Sequence, residues 1–125
     1  MKGDPILVVD DNPANLRLAK IVLEVEGYDV RTAIDAKDAL SVLSGFHPKL
    51  ILMDLQMPRM DGLELTGLLK TQDKYKDTII LAVTAYAMKG DEEKALAAGC
   101  DGYITKPIST HTLPSTIEFY LSMNT

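Results

Sequence analysis

The sequence predicts an α/β fold, a doubly wound parallel sheet with helices on both faces, and three observations carry that reading. Short continuous apolar runs alternate with helically spaced apolar residues in five cycles, the connections are short, and polar residues follow the apolar runs. A strand covered on both faces reads as an unbroken apolar run, and a strand joined through a helix to a parallel neighbour crosses over right-handed.

The first strand is Ile6, Leu7, Val8 and Val9, ending at Asp10 and Asp11. Asn12 then caps a helix with Pro13 in its first turn, an apolar face of Leu16, Ala19, Ile21, Val22 and Leu23, and Gly27 as its stop. A weaker second strand over 30–33 precedes a helix capped by Asp35, carrying Ala39, Leu40 and Leu43 and ended by Gly45 and Pro48. The third strand, 50–53, runs into Asp54. Pro58 and Gly62 mark a loop before a helix over 63–69, with Asp61 and Gly62 read as a turn. The fourth strand, 79–83, ends at Thr84, and the next helix begins near Gly90, Asp91 and Glu92, where acids suit the positive helix end, and closes at Gly99. A short strand over 102–105 leads to Lys106 and Pro107. The last helix carries Leu113, Ile117, Tyr120 and Leu121, and Pro114 requires it to start near Thr112.

The 125 residues predict one domain, 1–125, without linker or repeat. Thirteen Lys and Arg against 18 Asp and Glu, a net charge of −5, argue against duplex nucleic acid and for protein partners. The single Cys100 forms no internal bridge, no Cys/His cluster suggests zinc, and a reducing, cytoplasmic compartment is the simplest expectation. The longest apolar runs are far below the roughly 20 residues that span a bilayer.

In open parallel sheets, ligands bind beyond the carboxyl ends of the strands, so Asp10, Asp11, Asp54, Thr84 and Lys106 are expected on one edge. Carboxylates at about 4 Å repel by several kcal/mol per pair at an effective dielectric near 20, and a cation should fill the space between them. All-oxygen ligands with room left for water and a phosphate suit Mg²⁺. Beside a metal, Asp54 becomes a candidate nucleophile toward a phosphoryl group, with Lys106 and Thr84 able to meet phosphoryl oxygens. Taken singly, each has a bland reading: the acid pair caps a helix, Asp54 ends a strand, and Thr84 and Lys106 lie on the surface.

The set Asp10-Asp11, Asp54 within Leu-Met-Asp-Leu-Gln-Met-Pro, Asp61-Gly62, Thr84-Ala85 and Lys106-Pro107 resembles the receiver domain of two-component response regulators over essentially the whole chain. That resemblance implies the flavodoxin-like (βα)5 fold with strand order 2-1-3-4-5. It implies Asp54 as phosphoacceptor, Mg²⁺ held by Asp10, Asp11, Asp54 and the carbonyl of Gln56, phosphoryl contacts from Thr84 and Lys106, and a cis bond before Pro107. The stretch from Val83 to Asp91 is most similar to stand-alone cell-cycle regulators and to receivers of hybrid histidine kinases. The implied donor is a histidine kinase or histidine phosphotransfer protein, and the implied output is docking on a downstream protein by a monomer or weak dimer.

By the same resemblance Thr84 moves toward the phosphoryl group and Tyr103 swings inward as its switching partner; a half-buried strand tyrosine is the plainer alternative. The output surface is expected around Tyr86, Met88, Lys89, Glu92, Glu93 and Tyr103. The donor is expected near Asn15, Leu16, Lys20 and Ile108. Tyr86, with Ala85 on the approach to the phosphoryl group, would obstruct hydrolytic water, whereas Gln56 would orient it, so their effects on phosphate lifetime oppose.

Other classes fit less well. An aspartyl-nucleophile phosphatase resembles its relatives in having a second acid two residues after the nucleophile, where this chain has Gln56. A flavin or nucleotide binder of similar fold would need a glycine-rich phosphate loop after the first strand, and none follows. A receiver-like module without phosphorylation would not need the intact acid set. His47 and His111 read as surface residues and Cys100 as a small buried apolar one.

Overall fold

The computed structural model describes residues 3–55, 62–84, 89–106 and 108–123. Gln56, Asp61, Ala85, Tyr86, Met88 and Pro107 lie outside the described residues, as do the side chains of Lys89 and Glu92. In chain order the elements are β1 (Pro5–Val9), α1 (Pro13–Val25), β2 (Asp29–Ala33), α2 (Ala36–Leu43) and β3 (Leu50–Asp54). They continue with α3 (Gly62–Lys70), a 3-10 turn (Asp73–Tyr75), β4 (Ile79–Thr84), α4 (Lys89–Ala98), β5 (Gly102–Thr105) and α5 (Leu113–Ser122). The strands form one parallel sheet in the order β2-β1-β3-β4-β5.

Strand alternation divides the core in two. Leu7, Val9, Ile51, Met53, Ile80 and Ala82 face α2, α3 and α4 through Ala39, Leu43, Leu65, Leu69 and Ala95. Ile6, Val8, Leu50, Leu52, Leu81 and Val83 face α1 and α5 through Leu16, Ala19, Leu23, Leu113, Ile117 and Leu121. Each such aliphatic side chain contributes about 1.5–3 kcal/mol on leaving water, which is why the central strands carry no polar residue before their ends. The edge strand β2 reads weakly in sequence because Asp29 and Arg31 face solvent and pair at 3.7 Å, charges that discourage pairing with another sheet.

The helix ends follow local chemistry. Asn12 caps α1 by accepting from the backbone N–H groups of Ala14 and Asn15, and Gly27 at φ 94 turns the chain afterwards. Asp35 caps α2 through the Asp38 N–H at 2.7 Å. Pro114 falls in the first turn of α5, where its missing N–H removes no helical bond.

Several boundaries and faces differ from the sequence expectation. Helix α4 starts one residue earlier than expected, at Lys89, and the turn Asp73–Tyr75, anchored by buried Tyr75, is too short and polar to leave a periodic signal. Ile21 is 54% exposed and Leu40 39%, because only the stripes Leu16-Ala19-Leu23 and Ala36-Ala39-Leu43 meet the sheet. Cys100 is buried as expected; burial pushes its thiol above the usual range, and its Sγ lies 3.8 Å from the Thr66 hydroxyl.

Gly62 is required for packing rather than only for a turn. A Cβ there would run into the carbonyl oxygen of Asp54 and stand 2.9 Å from Met53 Cγ, so α3 enters directly beneath the end of β3. Gly62→Ala is expected to cost about 1–3 kcal/mol, read as a lower urea midpoint at unchanged m-value. Gly45→Ala, with nothing within 4 Å of the added carbon, should stay within about 0.5 kcal/mol of the unaltered protein.

Candidate functional site

Side chains with chemistry gather where the chain order reverses between β1 and β3, the crevice that open parallel sheets use for ligands. The N–H of Asp10 bonds the Ala33 carbonyl at 3.1 Å, continuing the β1–β2 ladder and fixing the backbone as it leaves the sheet. Asp54 is the last residue of β3, opposite Val83, and the next N–H, of Leu55, bonds the Val83 carbonyl at 3.0 Å. At the end of β5 the N–H of Lys106 bonds the Thr84 carbonyl at 2.7 Å, so two strand-end residues are tied by backbone.

Asp10, Asp11 and Asp54 each offer a carboxylate oxygen within 4.8 Å of the others. Asp10 and Asp54 are buried, at 4% and 1% exposure, and Asp11 is exposed. Lys106 Nζ lies 3.2 Å from Asp54 Oδ2 and 3.6 Å from Asp10 Oδ2. Asp10 is also held from below, by the Asn12 N–H on Oδ1 at 2.9 Å and the Asn15 amide on Oδ2 at 3.4 Å. Among the described residues, three carboxylates and one ammonium gather here, an excess of negative over positive charge.

Of the residues singled out in sequence, folding thus brings Asp10, Asp11, Asp54 and Lys106 together, with Thr84 buried on the same edge. Tyr103 stands on β5 opposite Ala82, partly buried against the core cluster that includes Ala95 of α4. Beside the acids, a groove of about 330 Å³ runs between α1 and α5, lined by Asn15, Leu18, Ala19, Val22, Lys106, Ile108, Thr110 and Leu113. Asn15 and Ile108, two of the residues expected near a donor, line this groove. Leu16 does not, because it is turned into the core, and exposed Lys20 is not part of the lining. Sequence reading missed the Asn15–Asp10 contact; its only trace is a polar amide in the third helical position after the cap.

The sequence model of the response regulator receiver domain matches residues 6–118. The chain belongs to that family. The receiver is 41% identical over 116 residues to the polar-differentiation response regulator DivK of Brucella ovis, covering 93% of this chain and 94% of that protein. Its fold superimposes with a TM-score of 0.89 on the chemotaxis response regulator CheY4 of Vibrio cholerae, at 30% identity, covering 94% of this chain and 98% of the other. A receiver domain of a sensor histidine kinase from Pseudomonas aeruginosa, which has a magnesium ion coordinated in its active site cleft, gives a TM-score of 0.86 at 32% identity, covering 96% and 98%.

The receiver is accordingly a phosphoacceptor signalling domain of the two-component kind, and such domains bind Mg²⁺ in an acidic site. The acid cluster fits that ion: its donors are hard oxygens, its charge is in excess, and exposed Asp11 opens it to solvent. No helix among the described residues is long and apolar enough to cross a membrane.

Mg²⁺ is expected to raise the thermal midpoint by ligand linkage, a gain of about 2.7 kcal/mol at a hundredfold excess over Kd. Asp11→Ala removes an exposed acid, so the variant should melt in EDTA no lower than the unaltered protein and lose most of the Mg²⁺ increment. Differential scanning calorimetry in EDTA and in Mg²⁺ checks both.

Proposed function

We propose that the chain is a Mg²⁺-dependent relay domain in which Asp54 takes a phosphoryl group from a phosphohistidine, and that the new charge resets a protein-binding surface. The observation that carries the proposal is the Asp54 carboxylate, buried at the end of β3 with an ammonium at 3.2 Å and two further acids beside it. A side chain in that position is kept from solvent yet ionically partnered, as a carboxylate nucleophile needs to be.

An Asp54 carboxylate oxygen attacks phosphorus; the oxygen–phosphorus bond forms as the phosphorus–nitrogen bond breaks, and the electron pair remains on the imidazole. Asp10, Asp11 and Asp54, with the carbonyl of Gln56, would hold the metal, which supplies charge neutralisation for the incoming phosphoryl oxygens. The Lys106 ammonium turns from a carboxylate partner into a partner of the phosphoryl group, and the Thr84 hydroxyl donates to another of its oxygens. Movement of Thr84 vacates space into which Tyr103, already half in the core, rotates. Tyr86 and Ala85 control access of water to the acyl phosphate. Turnover is thereby confined to the domain's own phosphotransfer and dephosphorylation, not an external substrate.

The groove between α1 and α5 supports docking of the phosphohistidine donor, a histidine kinase or phosphotransfer protein, because its apolar wall of Leu18, Val22, Ile108 and Leu113 adjoins Lys106. The surface around Tyr86, Met88, Lys89 and Tyr103 is assigned to the downstream protein. We read residues 1–125 as one receiver domain acting in the cytoplasm as a monomer or weak dimer, whether alone or within a larger regulator.

Incubation with Mg²⁺ and acetyl phosphate should add one phosphate by intact mass, and Asp54→Ala should abolish the gain. Persistence of the modification in the folded variant overturns the assignment. For the switch, Tyr103 is expected to occupy different rotamers in the free and beryllofluoride-bound protein, checked by crystal structures of the two states.

A further inference from the structure

We infer that Asn15 is a positioning residue for the acid site, orienting the Asp10 carboxylate for the cation through its side-chain amide. The inference rests on the reading of Asp10 as a metal ligand given above. Asn15 is the third residue of α1, where a side chain ordinarily reaches back to the N–H of the cap residue. Here that N–H, of Asn12, is taken by Asp10 Oδ1 at 2.9 Å. The Asn15 backbone N–H is satisfied by Asn12 Oδ1 at 3.3 Å. The helix end is therefore capped without the Asn15 side chain, whose amide instead donates to the second oxygen of Asp10 at 3.4 Å.

The two bonds act on opposite oxygens of one carboxylate, one from the cap of α1 and one from its first turn, so they fix the plane of Asp10 before a cation arrives. Lys106, the other partner of Oδ2 at 3.6 Å, stands on a flexible stem and is shared with Asp54. Asn15 is the partner whose anchor is a helix. At 3.4 Å its bond is longer than the usual range of about 2.7–3.2 Å, so it adds little to the stability of the fold. Partners of metal ligands that fix their direction typically change affinity by about 10–100-fold when removed. Asn15 also lines the groove between α1 and α5, so the same amide stands at the border of the acid site and the proposed donor surface.

The test is calorimetric titration of the metal-free full chain with MgCl₂, without phosphodonor, alongside thermal unfolding in EDTA to establish that each variant is folded. Asn15→Ala should raise the Mg²⁺ Kd by about tenfold, at the low end of that range. Asn15→Gln, which keeps an amide, should recover a substantial part of the loss. Leu23→Val loosens the packing of α1 on the sheet without touching Asp10 or the groove and should leave the Kd within about twofold. The inference is overturned if Asn15→Ala binds as the unaltered protein does, if Asn15→Gln is as impaired as Asn15→Ala, or if Leu23→Val weakens binding equally, which would make loosening of α1 the cause. Absence of Mg²⁺ binding in the unaltered protein would overturn the proposed function and this inference with it.

Discussion

The constraint on which the site depends is the ammonium of Lys106 between two buried carboxylates. Asp54 and Asp10 lie among strand ends with almost no access to water, and an isolated carboxylate there would bear a desolvation cost of several kcal/mol. A cation at 3.2 and 3.6 Å offsets part of that cost and leaves the site anionic. Lys106 is brought there by β5, whose pairing with β4 extends to the bond between its N–H and the Thr84 carbonyl. The sheet register thus determines the electrostatics of the edge.

The architecture leaves such groups few other places. Each central strand is covered on both faces, so a polar side chain within β1, β3 or β4 would have to be buried among aliphatic groups. At the carboxyl ends the helices depart, backbone donors of the next helix become available, and a carboxylate can be held by N–H groups as Asp10 is by Asn12. Gly62 extends the same economy of space to α3, whose first residue lies against the carbonyl of Asp54. The backbone of Asp54 and the start of a helix are therefore in close approach.

The fold was legible because buried parallel strands leave unbroken apolar runs, and the acid set was legible because those runs end at Asp10, Asp54, Thr84 and Lys106. What escaped sequence reading depends on which way individual residues turn. Leu16 and Leu18 are both apolar and two residues apart, yet one is core and the other lines the groove, a difference set by the rotation of α1 on the sheet. Ile21 and Leu40 read as apolar helix face, but the contact stripes are too narrow to include them. The reach of Asn15 to Asp10 combines a helical position with a strand end, and no periodicity encodes such a pairing.

Another lysine–aspartate pair, at the opposite end of β4, shows what separates an acid cluster from a balanced structural pair. Lys70 donates to the Thr78 carbonyl at 2.6 Å and lies 3.6 Å from Asp101, which accepts the Ile80 N–H at 2.8 Å. The Asp101 N–H returns a bond to the Ile80 carbonyl at 2.8 Å, so this pair ties α3 to the start of β4 and the approach to β5. Among the described residues one cation there meets one anion, and their other partners are backbone groups of fixed position, so the two charges balance. At the other end of the same strand, among the described residues, one cation pairs with two of three clustered acids, and the third is open to water. The residue types are the same, and the excess of charge over countercharge is what makes that end the candidate cation site.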